Sequence, residues 1–214
     1  MKIIPKKLIV IGDSSVYGWG DTEGGGWCER LKMDWISKTN KPIIYNLGIR
    51  GDGLERVAKR CISEWEVRGE LRRQTPDGIL LSIGLNDTAR IGSIEGRPQL
   101  SLDAFQYGLN QLLSKISSLT NIFVMGLTPV DELKMPFAEC LWYSNKACKE
   151  YEKIIEEACL TSNVNFLATF KEMSGDPRYK NWISNDGLHL NSSGHKWIYQ
   201  RLKSWDNLIN WSKQ

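Results

Sequence analysis

A chain of 214 residues, with 28 Lys and Arg against 25 Asp and Glu for a net charge of +3, is long enough to bury one sizeable core and too balanced in charge to work on nucleic acid or an acidic membrane. Its five Cys are odd in number and form no Cys-x-x-Cys pair, which argues against a disulfide framework, and no apolar run approaches the ~20 residues that span a bilayer. Lys2, Lys6 and Lys7 precede an apolar run too short for the core of a signal peptide, so the expectation is a cytoplasmic protein with reduced thiols.

Leu8 to Ile11 is a continuous apolar run, the pattern of a strand buried on both faces. It stops at Gly12, and Asp13, Ser14 and Ser15 follow where the chain leaves the strand. Gly18, Gly20, Gly24, Gly25 and Gly26 then make a loop able to fold tightly or approach a ligand. Trp27 to Thr39 predicts a helix, and Pro42 stops any continuation. Ile43-Ile44-Tyr45 is a second strand, closed by Asn46-Leu47-Gly48. Leu54, Val57, Ala58, Cys61, Ile62 and Trp65 follow i, i+3, i+4 spacing and predict the clearest amphipathic helix. Ile79 to Ile83 is a third strand, closed by Gly84-Leu85-Asn86-Asp87, and 88–100 reads as irregular. Ser101 caps a helix running to Leu119. Ile122 to Leu127 is a fourth strand, Leu141 to Leu160 a helix, and Val164 to Leu167 a weak fifth strand. Residues 170–188 read as a long loop. Asn191, Ser192 or Ser193 caps a last helix through Trp205. Strands alternate with helices from end to end, without linker or repeat. That pattern argues for a parallel sheet covered on both faces, in one domain spanning 1–214.

Three strand ends carry unusual loops, and ligands of open α/β sheets bind at that edge. In the strand order 2-1-3-4-5 the first three strands are neighbours ~4.8 Å apart, so Ser14, Gly48 and Asn86 converge. A serine hydroxyl becomes a nucleophile when a base takes its proton. A glycine N–H and an Asn amide are suitable donors to negative charge building on a carbonyl oxygen. The chain has two His. His189 follows Asp186 by three residues in a loop, where the carboxylate can orient the imidazole. His195 falls inside the last helix and reads as structural or solvent-facing.

These residues resemble the SGNH (GDSL-type) esterase and acylhydrolase superfamily. Gly12-Asp13-Ser14 with Gly18 and Gly20 matches its first block, Asn46-x-Gly48 with Gly51 its second, Gly84-x-Asn86-Asp87 its third and Asp186-x-x-His189 its last. The four blocks stand in the family's order from 12 to 189. Ser15 departs from the family's frequent Leu, at a position that holds no reacting group. The resemblance implies a flavodoxin-like three-layer α/β/α sandwich with a five-stranded parallel sheet. It implies Ser14 as nucleophile, His189 as base and Asp186 as its orienter, with Ser14 N–H, Gly48 N–H and the Asn86 side chain forming an oxyanion hole. The partner implied is a small-molecule ester, with no cofactor and no metal.

Plainer roles fit other residues. Asp13 and Asp87 read as loop ties through backbone N–H groups. Arg50 and Asp52 read as a surface ion pair or as substrate contacts. Tyr17, Trp19 and Trp182 line a pocket or pack the core, and most of the nine Trp read as core. Among enzyme readings, cleavage of carboxylic esters or thioesters leads. The alternative is removal of O-acetyl groups from a carbohydrate or metabolite. A flavodoxin-like phosphate- or nucleotide-binding module is the alternative of another class. It lacks both G-x-x-x-x-G-K-[ST] and G-x-G-x-x-G here. Two His and scattered Cys give no metal-ligand pattern.

Overall fold

The computed structural model describes residues 5–69 and 74–214, so Lys2 lies outside the described residues. The first apolar run is β1 (Lys7–Gly12), buried along its whole length. It is followed by β2 (Ile43–Gly48), β3 (Gly78–Ser82), β4 (Asn121–Met125) and β5 (Asn165–Leu167). All pairings among them are parallel, in the order β2-β1-β3-β4-β5. This is the expected 2-1-3-4-5 sheet. Its register brings Gly12 opposite Gly48 on one side and Ser82 on the other, so the three loops leave the same edge.

Between and after the strands run α1 (Ser14–Tyr17), α2 (Trp27–Ile36), α3 (Leu54–Val67), α4 (Leu102–Ser117), α5 (Asn145–Thr161), α6 (Thr169–Ser174), α7 (Ser192–Lys203) and α8 (Asp206–Lys213). The two-residue period of β1 divides the core. Leu8 and Val10 pack with Trp27, Trp35, Ile198 and Trp211 of α2, α7 and α8. Ile9 and Ile11 pack with Val57, Leu113 and Ile155 of α3, α4 and α5. Helices therefore cover both faces, which makes the three-layer α/β/α sandwich. No helix among the described residues is long and apolar enough to cross a membrane.

Several boundaries differ from expectation for local reasons. Helix α2 stops at Ile36, because Ser37 Oγ donates to the Asp34 carbonyl and the Lys38 N–H closes a tighter turn on Trp35. Helix α5 starts at Asn145, not Leu141: Ser144 Oγ accepts from the Ala147 N–H, and Leu141–Trp142 pairs antiparallel with Arg90–Ile91. That ribbon also gives order to part of 88–100. Helix α4 ends at Ser117, short of Leu119. Helix α7 stops at Lys203, where Ser204 Oγ donates back to the Gln200 carbonyl, and α8 (Asp206–Lys213) follows it, a helix not expected from the sequence. The expected loop at 170–188 holds α6 and a turn of tight helix over Tyr179–Trp182.

Helix α6 has no side-chain cap of its own. Glu152 of α5, 5% exposed, caps it from a distance by accepting from the N–H groups of Phe170 (3.1 Å) and Lys171 (3.3 Å), and it also accepts from Leu127 (2.7 Å). Burial pushes the Glu152 carboxyl up from 4.5 to about 7, outweighing those three donors. The folded state thus holds the proton more tightly than the unfolded chain. The contribution of Glu152 to stability is full below about pH 4.5 and is lost as pH rises through about 7. Glu152→Gln does not titrate. Urea unfolding at a series of pH values should show wild type losing stability across that window relative to the variant. Parallel stability curves would contradict the assignment.

Candidate active site

At the end of β1 the chain turns directly into α1. The Asp13 carboxylate caps that turn by accepting from the Ser15 N–H at 2.8 Å. Ser14 is therefore the first residue of a helix, and its N–H has no intrahelical partner. The end of β2 is pressed against the same turn: a Cβ on Gly48 would lie 2.1 Å from the Tyr17 nitrogen, so only glycine fits there.

The loop before α7 brings in the other groups. Gly187 takes φ +78° in this turn, and a side chain there would meet Lys134. The turn lets Asp186 Oδ1 accept from the N–H groups of Leu188 and His189, both at 3.0 Å. The other carboxylate oxygen of Asp186 is 2.7 Å from His189 Nδ1, and His189 Nε2 is 3.0 Å from Ser14 Oγ. Burial opposes the charge on Asp186, yet the His189 ring and the backbone donors outweigh it and hold its carboxyl down at about 2. An ionised carboxylate, an imidazole and a hydroxyl thus stand in one hydrogen-bonded row, which can move a proton from oxygen to nitrogen.

The remaining predicted donors lie at the same edge with partners of their own. The Gly48 N–H donates to Asn46 Oδ1 at 3.1 Å. Asn86 Nδ2 donates to the Asp52 carbonyl at 3.1 Å and to Asp13 Oδ2 at 3.3 Å, while Asn86 Oδ1 accepts from the Tyr143 hydroxyl at 3.4 Å. Asp87 accepts from the Leu54 N–H with both oxygens and so caps α3. Burial pushes the Asp13 carboxyl up to about 6 and that of Asp87 to about 7. Both aspartates are the loop ties expected of them.

Of the two roles open to Arg50 and Asp52, the ion pair is corrected, because they do not pair with each other. Asp52 is 3% exposed and joins Arg60 at 2.9 Å. Arg50 lies over the Trp19 ring at 3.5 Å. That ring stands edge-on to His189, with centroids 6.2 Å apart. Trp182 stacks on Trp197, and Tyr17 is exposed. Phe137, 5.6 Å from the His189 ring, comes from the segment after β4, where no periodicity marked it, and Tyr143 from a stretch that read as the start of a helix. Among the described residues, no group of three or more His, Cys, Asp or Glu stands where it could hold a metal ion. Cys28, Cys61, Cys148 and Cys159 are buried and Cys140 is exposed, all as free thiols.

His195 is fully buried, not solvent-facing. Its Nδ1 accepts from the Trp27 N–H at 3.2 Å, and its Nε2 stands 3.0 Å from the Trp19 carbonyl. Burial lowers its affinity for a second proton. Both ring nitrogens are thus committed to backbone groups. His195→Ala should lower the unfolding free energy by about 1–3 kcal/mol, because the Trp27 N–H loses its acceptor. The kcat of the folded fraction should stay within about threefold of wild type. Thermal melts and active-site-normalised kinetics on the same preparation check both halves.

The profile of the GDSL-like lipase/acylhydrolase family matches residues 10–197. Comparison with curated proteins finds no match. Among solved structures, the chain is similar to a lipase/acylhydrolase from Enterococcus faecalis, at 20% identity and a TM-score of 0.74 over 92% of this chain and 93% of that one. It is similar to an α/β hydrolase from the metagenome of Lake Arreo, Spain, at 13% identity and a TM-score of 0.72 over 96% and 97%. An acetylxylan esterase from Geobacillus stearothermophilus matches at 18% identity and a TM-score of 0.70, over 95% of both chains. At these identities the neighbours speak for the fold.

Proposed function

We propose, for a chain that belongs to the GDSL-like lipase/acylhydrolase family and is an ester-hydrolysing enzyme, that Ser14 is its nucleophile, His189 the general base and Asp186 the carboxylate that orients the base. The Ser14 N–H, the Gly48 N–H and the Asn86 side chain form the oxyanion hole. The observation that carries this reading is the unbroken row from Ser14 Oγ to His189 Nε2 at 3.0 Å and from His189 Nδ1 to Asp186 at 2.7 Å.

His189 Nε2 takes the Ser14 proton as Oγ attacks the ester carbonyl carbon, and the carbonyl π electrons move to oxygen. Collapse of that tetrahedral species expels the alkoxide, which takes the proton back from the imidazolium, and leaves an acyl group on Ser14. Water then repeats the cycle: His189 removes its proton, hydroxide adds to the acyl carbon, and the carboxylic acid departs as Ser14 regains its hydrogen. Asp186 stays ionised and stabilises the imidazolium. The charge on the carbonyl oxygen exists only during attack. Donors aimed at it therefore favour the transition state over the ester. The long contact of Asn86 with Asp13, 3.3 Å, is the one the oxyanion displaces.

A second reading, hydrolysis of O-acetyl groups on a carbohydrate or other hydroxyl-rich metabolite, draws on a cavity of about 560 Å³ beside Tyr143. Arg90, Glu132, Lys146 and Glu150 line it together with the apolar Ile94 and Met135. The charged part of that wall offers hydrogen bonds to a hydroxyl-rich alcohol. Unpaired thiols throughout the described residues support a cytoplasmic setting.

A fluorophosphonate probe should label Ser14, read by mass spectrometry of the modified peptide, and abolish turnover. Label on Ser15, or active protein without label, would overturn the nucleophile. His189→Ala should remove nearly all activity. Asn86→Ala should reduce kcat roughly 100- to 1,000-fold, about 2.7–4 kcal/mol, with little change in KM. A panel of p-nitrophenyl esters of rising acyl length, with acetylated sugars and acyl-thioesters alongside, separates the substrate readings by their optimum.

A further inference from the structure

Three N–H donors can act on one oxygen only if three strand ends keep a fixed mutual geometry. Sheet pairing joins Gly12 to Gly48, but Asn86 lies beyond the end of β3 and outside that register. Arg60 bridges the gap. It projects from α3, with its side chain 16% exposed. Its Nη2 donates to the Gly12 carbonyl at 3.0 Å, and its Nε donates to Asp52 Oδ2 at 2.9 Å. The Gly12 carbonyl also accepts from the Ile49 N–H at 3.0 Å, and the Asp52 carbonyl accepts from Asn86 Nδ2 at 3.1 Å. One planar guanidinium therefore ties the segment carrying Ser14 to the loop after Gly48, and through Asp52 to the Asn86 amide. Its third nitrogen, Nη1, is buried without a hydrogen-bond partner. A buried donor left unpaired works against stability. The residue is thus placed for its two bridging contacts at a cost to its own satisfaction.

We infer that Arg60 is a positioning residue for ester hydrolysis: by tying the Asp52 carboxylate to the Gly12 carbonyl, it holds the Asp52 backbone whose carbonyl aims the Asn86 amide at the oxygen above Ser14. The inference rests on the oxyanion role proposed for Asn86. Lysine carries the same charge but cannot span both acceptors with a rigid fork, so charge and geometry are separable.

The test is a double-mutant cycle with p-nitrophenyl acetate. Arg60→Gln should lower kcat by about 10- to 100-fold with KM within about twofold, since a donor displaced by a fraction of an ångström still binds ester but misses the oxyanion. In the Asn86→Ala background the same substitution should cost less than about threefold, because the group it positions is gone. Arg60→Lys should fall between wild type and Arg60→Gln, and it carries the cycle if the Gln variant does not fold. Equal losses in both backgrounds, a kcat within about threefold of wild type, or a change confined to KM would overturn the inference. The two failures are distinguishable. A near-normal kcat in Asn86→Ala alone overturns the oxyanion reading and this inference with it. A large loss in Asn86→Ala beside an unaffected Arg60→Gln overturns this inference alone.

Discussion

The contact between Gly48 and the first helical turn sets the geometry of the whole edge. Helix α1 is four residues long, too short to hold its shape without outside support. It is held instead from every side. Asp13 caps its start, Gly18 closes it in the left-handed region, the Trp27 indole N–H donates to Ser15 Oγ at 3.0 Å, and the backbone of β2 lies against it where no Cβ fits. Ser14 thus takes its position from tertiary packing. A side chain at 48 would move the serine and a neighbouring N–H together, so the two cannot drift independently.

Burial and local partners act differently on Asp186, Asp13 and Asp87. Asp186 is partly exposed and faces an imidazole and two backbone donors, and its carboxyl sits at about 2. Asp13 and Asp87 lie deeper, and desolvation raises them to about 6 and about 7. The carboxyl of Asp186, beside His189, is thus held ionised, whereas those of Asp13, bonded to Asn86, and of Asp87 hold a proton more readily. Arg60 adds a cation paired with Asp52, whose carbonyl accepts from the Asn86 amide.

The five strands and their parallel pairing were legible as short apolar runs alternating with helices, and the convergence of three loops because the first three runs are ended by Gly, Asn or Asp. Such punctuation is local chemistry. What was not legible depends on partners far away in the chain. Helix α6 is capped by Glu152, more than fifteen residues upstream, so 170–188 carries no start signal of its own. Leu141 and Trp142 fit a helical pattern, yet they pair with Ile91 and Arg90 about fifty residues away. Arg60 falls off the apolar stripe of α3 and reads as a solvated residue until Gly12 and Asp52 are seen beside it. Arg50 and Asp52 are close in sequence and opposite in charge, but the loop sends one over Trp19 and the other into the interior.

The two histidines show how far residue type alone carries a chemical assignment. They lie six residues apart, both near the start of α7, and share the same side-chain chemistry. His195 spends both nitrogens on backbone groups: an N–H that must find an acceptor and a carbonyl fixed in the glycine loop. Protonation at Nδ1 would set two N–H groups against each other in a buried site, so its ring is held as a neutral strut between Trp19 and Trp27. His189 meets a carboxylate on one nitrogen and a hydroxyl on the other. Partners, more than exposure or sequence position, separate a histidine that can cycle a proton from one that cannot.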